Sequence, residues 1–221
     1  MLVSILRFFN VSGGIMMNLL DFAFVFSWIF NITYFILYGF QIFHIFKKKS
    51  VEGLSLLMFI FIFSGNLMLA FQAFIFDFPI SYKILIPMLV FELLILLIQF
   101  FSFKVKIRGL IIKFLLVSSF VCLGSCYFIF YSPIIVGVIA GWLTIFFGTV
   151  AQLPQIYKIY NSKSSVGLSS VFMHLLGLTS ILECFTSLVL NVPIFLKING
   201  VRVILVFLVF YFLFLKYREK N

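Results

Sequence analysis

The chain has 221 residues, of which 64% are hydrophobic and only 10% charged, with a formal net charge of +10 and a mean hydropathy of +1.27. A soluble core of this size needs a charged shell that this composition does not supply, so the chain reads as an integral membrane protein. The basic excess does not point to nucleic acid, because the chain has no soluble stretch in which cationic and aromatic residues interleave.

Residues 1–21 come first and are interrupted by Arg7, Asn10, Gly13 and Gly14, too broken to span a bilayer; an interfacial segment on the outer face is expected. Asn10-Val-Ser12 fits a glycosylation sequon, a triplet that also arises by chance. No signal peptide is expected, since a basic start, a clean apolar stretch and a small-residue cleavage site are missing.

Seven apolar runs follow, at about 22–46, 54–76, 84–103, 109–131, 134–160, 168–191 and 199–216. Each is close to the ~20 residues a helix needs to cross the hydrocarbon layer. Helix is expected because a backbone in lipid must satisfy its own hydrogen bonds. Lysine- or glycine-bearing turns at 47–53 and 161–167 break the series, as do Pro79, Pro133 and Pro193.

The runs repeat. Shifted by 114 residues, Gln41, Ile45, Lys49, Ser50, Gly53, Leu54 and Ser55 coincide with Gln155, Ile159, Lys163, Ser164, Gly167, Leu168 and Ser169. Trp28 likewise falls on Trp142, Pro79 on Pro193 and Lys83 on Lys197. Phenylalanine and isoleucine match cheaply in so apolar a chain, but tryptophan, glutamine, glycine and proline on one register mark a duplication. Each copy holds three runs, an odd number, so two copies joined directly would face opposite ways. The run at 109–131 has no counterpart and supplies the extra crossing. The expected architecture is an all-α membrane protein with seven helices as 3+1+3: a first repeat at 22–103, a linker at 104–132, a second repeat at 133–217 and a tail at 218–221.

Twelve of the sixteen basic residues fall at the 47–49 turn, the 104–113 stretch, Lys158, Lys163 and the C-terminal end, leaving Arg7, Lys83, Lys197 and Arg202 for the opposite side. That asymmetry places the lysine-rich turns and the C-terminus in the cytoplasm and the N-terminus outside or in a lumen. Cys122, Cys126 and Cys184 lie within apolar runs and read as packing residues, with neither a disulfide framework nor a metal site.

Pro154-Gln155, followed by Lys163-Ser164 and Gly167-Leu168-Ser169, resembles the repeat signature of the PQ-loop superfamily, which includes the SWEET sugar carriers and the lysosomal amino-acid exporters related to cystinosin. The first copy keeps Gln41 and the 49–55 turn but has Phe40 in place of proline. The resemblance spans about 22–217 and implies parallel repeats with alternating access. It also implies a hinge at Pro154 for a cytoplasmic gate, with Gln155 and Gln41 beside it; the residues themselves leave a static kink open. The sugar carriers' second-helix tryptophan is absent, since Leu69 or Ala70 and Leu182 or Glu183 stand there. The acidic residue of the cystinosin-type exporters is replaced by Ile62 and Leu176.

Ionisable residues at membrane depth are costly and call for a reason. Glu92, Glu183 and His174 are candidates for a proton or cation relay, with structural pairing as the alternative, for Glu183 with Arg202. His44 sits beside Lys47–Lys49 and reads as a snorkelling side chain. Asn31, Asn66, Thr149, Gln152, Ser180 and Asn199 are candidates to line a solute pathway, as are Gln72, Thr144 and Thr179; interhelical glue is the competing role for each. Trp28 and Trp142 offer aromatic faces or an interfacial belt. No nucleophile–base pair, metal cluster or phosphate loop is present in the sequence, so neither an enzyme nor a cofactor is expected. The expected function is passage of a small polar solute, an amino acid or other amine-bearing metabolite or a sugar, with protons as a candidate coupling ion. Amine-bearing solutes are favoured by Glu92 and Glu183. A non-transporting accessory or receptor protein on the same fold is the alternative, and a homo-oligomer is compatible with either.

Overall fold

The protein is described by a computed structural model covering residues 19–103, 109, 132–165, 168, 170–190 and 192–217. Seven helices lie among the described residues: α1 (Leu19–Lys48), α2 (Leu56–Ile75), α3 (Ile80–Phe103), α4 (Pro133–Ala151), α5 (Leu153–Ser162), α6 (Ser170–Val189) and α7 (Ile194–Lys216). With α4 and α5 counted as one continuous span, Pro133–Ser162, six spans are long and apolar enough to cross a membrane. The helix expected at 104–132 lies almost wholly outside the described residues, as do the sequon at Asn10, Cys122, Cys126 and the 218–221 tail. α1 begins at Leu19, inside the stretch expected to be interfacial. α3 and α7 begin at Ile80 and Ile194, ahead of the apolar runs at 84 and 199, because Pro79 and Pro193 rather than the lysines set their starts. Lys83 does not interrupt its helix: its ammonium reaches back to Asp77 at the end of the span.

The helices close into a ring in the order α1–α3–α2–α4–α7–α6 and back to α1. Within each repeat the third helix lies between the first two. Between repeats, the first helix of each packs on the second helix of the other, α1 on α6 and α2 on α4. Exchanging the repeats therefore leaves the contact pattern unchanged. The turns repeat as well. Lys49 and Lys163, 114 residues apart, both adopt positive φ, at 49° and 52°. The bond from Leu54 N to Val51 O recurs from Leu168 N to Ser165 O, at 3.2 Å each. Tyr82 N to Pro79 O recurs from Leu196 N to Pro193 O, at 2.9 Å each.

The repeats are parallel, and both lysine-bearing corners share one face. Gln99 Nε2 on α3 donates to Ile42 O near the end of α1 at 3.0 Å, so α1 and α3 run together. Phe26 meets Phe185, and Tyr38 meets Phe172, so α6 runs against α1. α2 runs against α4, since Gly137 lies at Phe76 while Gly65 lies at Phe147. The chain thus leaves α3 on the lysine-rich face and enters α4 on the opposite one.

Small residues set the spacing. At Gly65 an added Cβ would stand 3.5–3.8 Å from Phe147, Gly148 and Thr144, and at Gly200 3.1 Å from the Cα of Cys184, so α2–α4 and α6–α7 pack almost backbone to backbone. Gln72 Nε2 donates to Thr144 Oγ1 at 2.7 Å with both side chains buried, a polar bond between the repeats. The second corner is tied to the end of α7: Ser165 N donates to Tyr217 O at 3.3 Å, and Lys163 Nζ donates to the Tyr217 hydroxyl at 3.2 Å. That lysine lowers the phenol's pKa below its ordinary value.

Candidate functional site

Inside the ring lies a cavity whose empty space, counted out into open solvent, is about 760 Å³, and all six spans contribute to its wall. Its walls are mostly apolar and aromatic, with Phe30, Tyr34 and Tyr38 from α1, Phe61 from α2 and Phe207 and Phe210 from α7. Polar side chains are few: Asn66 on α2, Thr144 on α4, Gln152 at the α4–α5 junction, Ser180 and Glu183 on α6, and Asn199 and Arg202 on α7. This mixture, apolar walls with a few convergent polar groups, is the usual make-up of a small-molecule site.

Six of the sequence-derived candidates therefore meet in one place: Asn66, Thr144, Gln152, Ser180, Glu183 and Asn199. Asn66 and Ser180 are equivalent under the duplication and bond their own helices alike, Asn66 to Ile62 O at 2.9 Å and Ser180 to Leu176 O at 2.7 Å. Glu183 Oε1 accepts from Asn199 Nδ2 at 2.6 Å, a bond between α6 and α7 with both residues buried. Asn199 Oδ1, Gln152 Oε1 and Arg202 Nε are buried without a hydrogen-bond partner among the described residues. Native structures leave few such atoms, and three on one cavity call for an account.

The other candidates lie elsewhere. Glu92 is buried but faces Gly39 of α1, where an added Cβ would come within 3.4 Å of its Oε1. Asn31 is buried and donates to Ser27 O at 2.7 Å within α1. Trp142 is 54% exposed on the outer surface, and Trp28 is half-buried; neither lines the cavity. Thr149 is exposed and bonds Ile145 O at 2.7 Å. His174 is exposed, with Nδ1 2.6 Å from Ser170 O, and its ring meets Tyr211 edge-on. Arg202, read from sequence only as a basic residue of the outer side or a partner for Glu183, lines the cavity without an ion-pair contact to that carboxylate. Its signal was its place one turn after Asn199, on the same helix face. Pro87, inside α3, also escaped the sequence reading.

The proline-glutamine element takes a specific form. The helix breaks at Gln152, and Pro154 is the second residue of α5, eight residues before its end. A proline ring pushes on the carbonyl four residues back, here that of Val150, so the break falls ahead of the proline. In the first repeat, with Phe40 in that place, α1 runs unbroken from Leu19 to Lys48. Gln155 is 1% exposed and spans the repeats: its Oε1 accepts from Ser55 N at 2.7 Å, and its Nε2 donates to Gly53 O at 2.9 Å. Ser55 is the N-cap of α2, so Gln155 satisfies a helix-start amide that the helix itself cannot. Lys158 Nζ adds a bond to Leu54 O at 2.9 Å. Gln41, the counterpart of Gln155, is equally buried, but neither its Oε1 nor its Nε2 has a partner among the described residues.

No curated protein matches the chain. The PQ loop repeat model matches it twice, at residues 22–82 and 136–196, in the 114-residue register of the duplication. Those two segments cover more than half the sequence, and the chain belongs to the PQ loop repeat family.

Proposed function

We propose that this protein is a transmembrane carrier that moves a small polar solute, an amino acid, another amine-bearing metabolite or a sugar, by alternating access. The supporting observation is the cavity at the axis between the repeats, walled by all six spans and carrying buried polar atoms that are unpaired among the described residues. In this reading the two three-helix units rock about that cavity. The lysine-rich face is cytoplasmic, by the charge asymmetry, and the N-terminus lies outside or in a lumen. In this reading a seventh span within 104–132 returns the chain across the bilayer, which the ends of α3 and α4 on opposite faces support. The break at Gln152 and the Gln155 clamp act at the cytoplasmic gate. Glu183 is the candidate for proton coupling, being the acidic group on the cavity. Its partners are the bilayer and the solute; no cofactor, metal or catalysis forms part of the proposal, and self-association is compatible with it.

A receptor or accessory role on the same fold is the second reading, favoured by the apolar stretch of α7 from Val203 to Leu215. Exchange assays with the purified protein in liposomes separate the two, using a mixed panel of labelled amino acids and sugars at several pH values. A carrier accelerates exchange of at least one solute over protein-free liposomes. No acceleration for any solute refutes the carrier.

A further inference from the structure

We infer that Arg202, laid across Gly148, is a carboxylate-binding anchor of the cavity, and that the solute it receives carries a carboxylate group. The inference rests on the carrier reading for its physiological meaning, but its geometry stands apart from it. An arginine inside a membrane span is retained where an anion or a dense set of acceptors repays its desolvation. Among the described residues Arg202 makes no ion-pair contact, Glu183 acting on it only from beyond contact distance, and its buried Nε is unpaired.

The guanidinium has a prepared seat. At Gly148 on α4, an added Cβ would lie 2.6 Å from Nη2, 2.7 Å from Nη1 and 2.8 Å from Cζ of Arg202. Only glycine lets the planar group lie against the α4 backbone. A rigid planar fork matches a carboxylate through two parallel hydrogen bonds, which an ammonium does not reproduce.

Glu183 completes the pattern. Opposite charges in one poorly solvated cavity attract strongly, yet these two are held apart. Asn199 ties Glu183 by the 2.6 Å bond, and Arg202 sits one turn farther along α7, about 4.5 Å by helical rise. A cavity that holds an arginine and an acidic group out of contact with each other fits a solute with an anionic and a cationic end. The carboxylate end is the shared chemistry of zwitterionic amino acids and of plain monocarboxylates, and the test separates them. Glucose has no group for the fork.

The test uses the full chain in proteoliposomes, with labelled alanine, lactate and glucose as probes, and thermal unfolding in detergent with the same three compounds. Exchange of alanine or lactate is expected, with KM raised roughly 10- to 100-fold by Arg202→Gln. Arg202→Lys, which keeps the charge without the fork, raises KM less. Gly148→Ala raises it too, because the added methyl displaces the flexible guanidinium while leaving the arginine in place; a folded Gly148→Ala protein keeps the test valid if Arg202→Gln does not fold. Alanine without lactate means that the ammonium is read as well; both together mean that the carboxylate suffices, and either result supports the anchor. Exchange of glucose alone, with KM unchanged in the variants, overturns the anchor and leaves the carrier standing. No exchange, but a melting temperature raised by alanine or lactate in wild type and not in Arg202→Gln, keeps the anchor and refutes the carrier. Absence of both exchange and stabilisation overturns both.

Discussion

Gln155 and Gln41 occupy the same register of the duplication and are equally buried, yet only Gln155 is spent on hydrogen bonds. Replacing each by leucine therefore gives opposite expectations from one substitution. Gln155→Leu leaves the Ser55 amide and the Gly53 carbonyl unpaired at the start of α2. Each unsatisfied group costs about 1–3 kcal/mol, and leucine burial offsets part of it, for a net loss of about 2–4 kcal/mol. Because the lost bonds join α5 of one repeat to the corner of the other, the loss falls on closure of the lysine-rich face. At a factor of ten for every ~1.4 kcal/mol, the open population rises roughly 30- to 700-fold. Gln41→Leu removes two buried polar atoms with no partner to strand, a change that is close to neutral or stabilising. A cysteine at Leu54, which is 2% exposed, in a background lacking Cys122, Cys126 and Cys184, reports the opening. Its labelling rate by a membrane-impermeant maleimide follows the open population when opening is fast and reversible. Gln155→Leu should raise that rate by the stated factor, and Gln41→Leu should leave it within about threefold. Equal acceleration by both, or none by Gln155→Leu, refutes the clamp.

Gly200→Ala should lower the thermal midpoint in detergent, since the new methyl meets the Ser187 hydroxyl and stands 3.1 Å from the Cys184 Cα; overpacking of this kind costs about 1–3 kcal/mol. Gln72→Leu should destabilise the α2–α4 seam by about 1 kcal/mol, and Thr144→Val added to it should cost less than the two changes do separately, as a double-mutant cycle of thermal or denaturant midpoints will read. Pro154→Ala restores the missing amide and should fuse α4 with α5, slowing solute exchange several-fold while leaving or raising thermal stability. Phe40→Pro in the unbroken α1 should destabilise the protein by about 3 kcal/mol, because no break is present there to receive the ring.

What could be read from the chain divides by the kind of physics involved. The duplication was legible because tryptophan, glutamine, glycine and proline recur on one register, the common face of the lysine corners because the basic residues are distributed asymmetrically, and the parallel repeats through the family resemblance. Asn66 and Ser180 were legible as a cavity pair for the same reason. Pro154 announced the break, but its place at Gln152 depends on the carbonyl one turn back. Glu92 and Glu183 look alike in sequence, each an acid within an apolar run; tertiary packing puts one against Gly39 and the other on the cavity. Arg202 escaped because hydropathy counts a charge near the start of a run as an end marker. Only the seat at Gly148, far away in sequence, gives that charge its place inside.

The structure also bears on why the copies diverged. Under the duplication Glu183 corresponds to Leu69, Asn199 to Leu85 and Arg202 to Met88, so the ionisable wall of the cavity comes from the second repeat alone. The same repeat carries the broken span and the engaged clamp, while the first offers an unbroken α1 and the corner that is clamped. A two-fold scaffold fixes where a cavity forms, but identical walls would present like groups to both ends of a solute. In the proposed carrier, placing the acidic and basic groups on α6 and α7 would orient a bound molecule along one direction of the bundle. It also couples occupancy to the half that contains the break, since Gln152 lies both on the cavity wall and at the junction of α4 and α5. In the proposed carrier, a solute that engages Gln152 Oε1 draws on the residue where the helix is interrupted, which would give a contact in the cavity leverage on the proposed gate. Gln152→Leu should accordingly weaken the dependence of Leu54→Cys labelling on added alanine or lactate, more than it changes the labelling rate without solute. An unchanged solute dependence would show that cavity and break act independently.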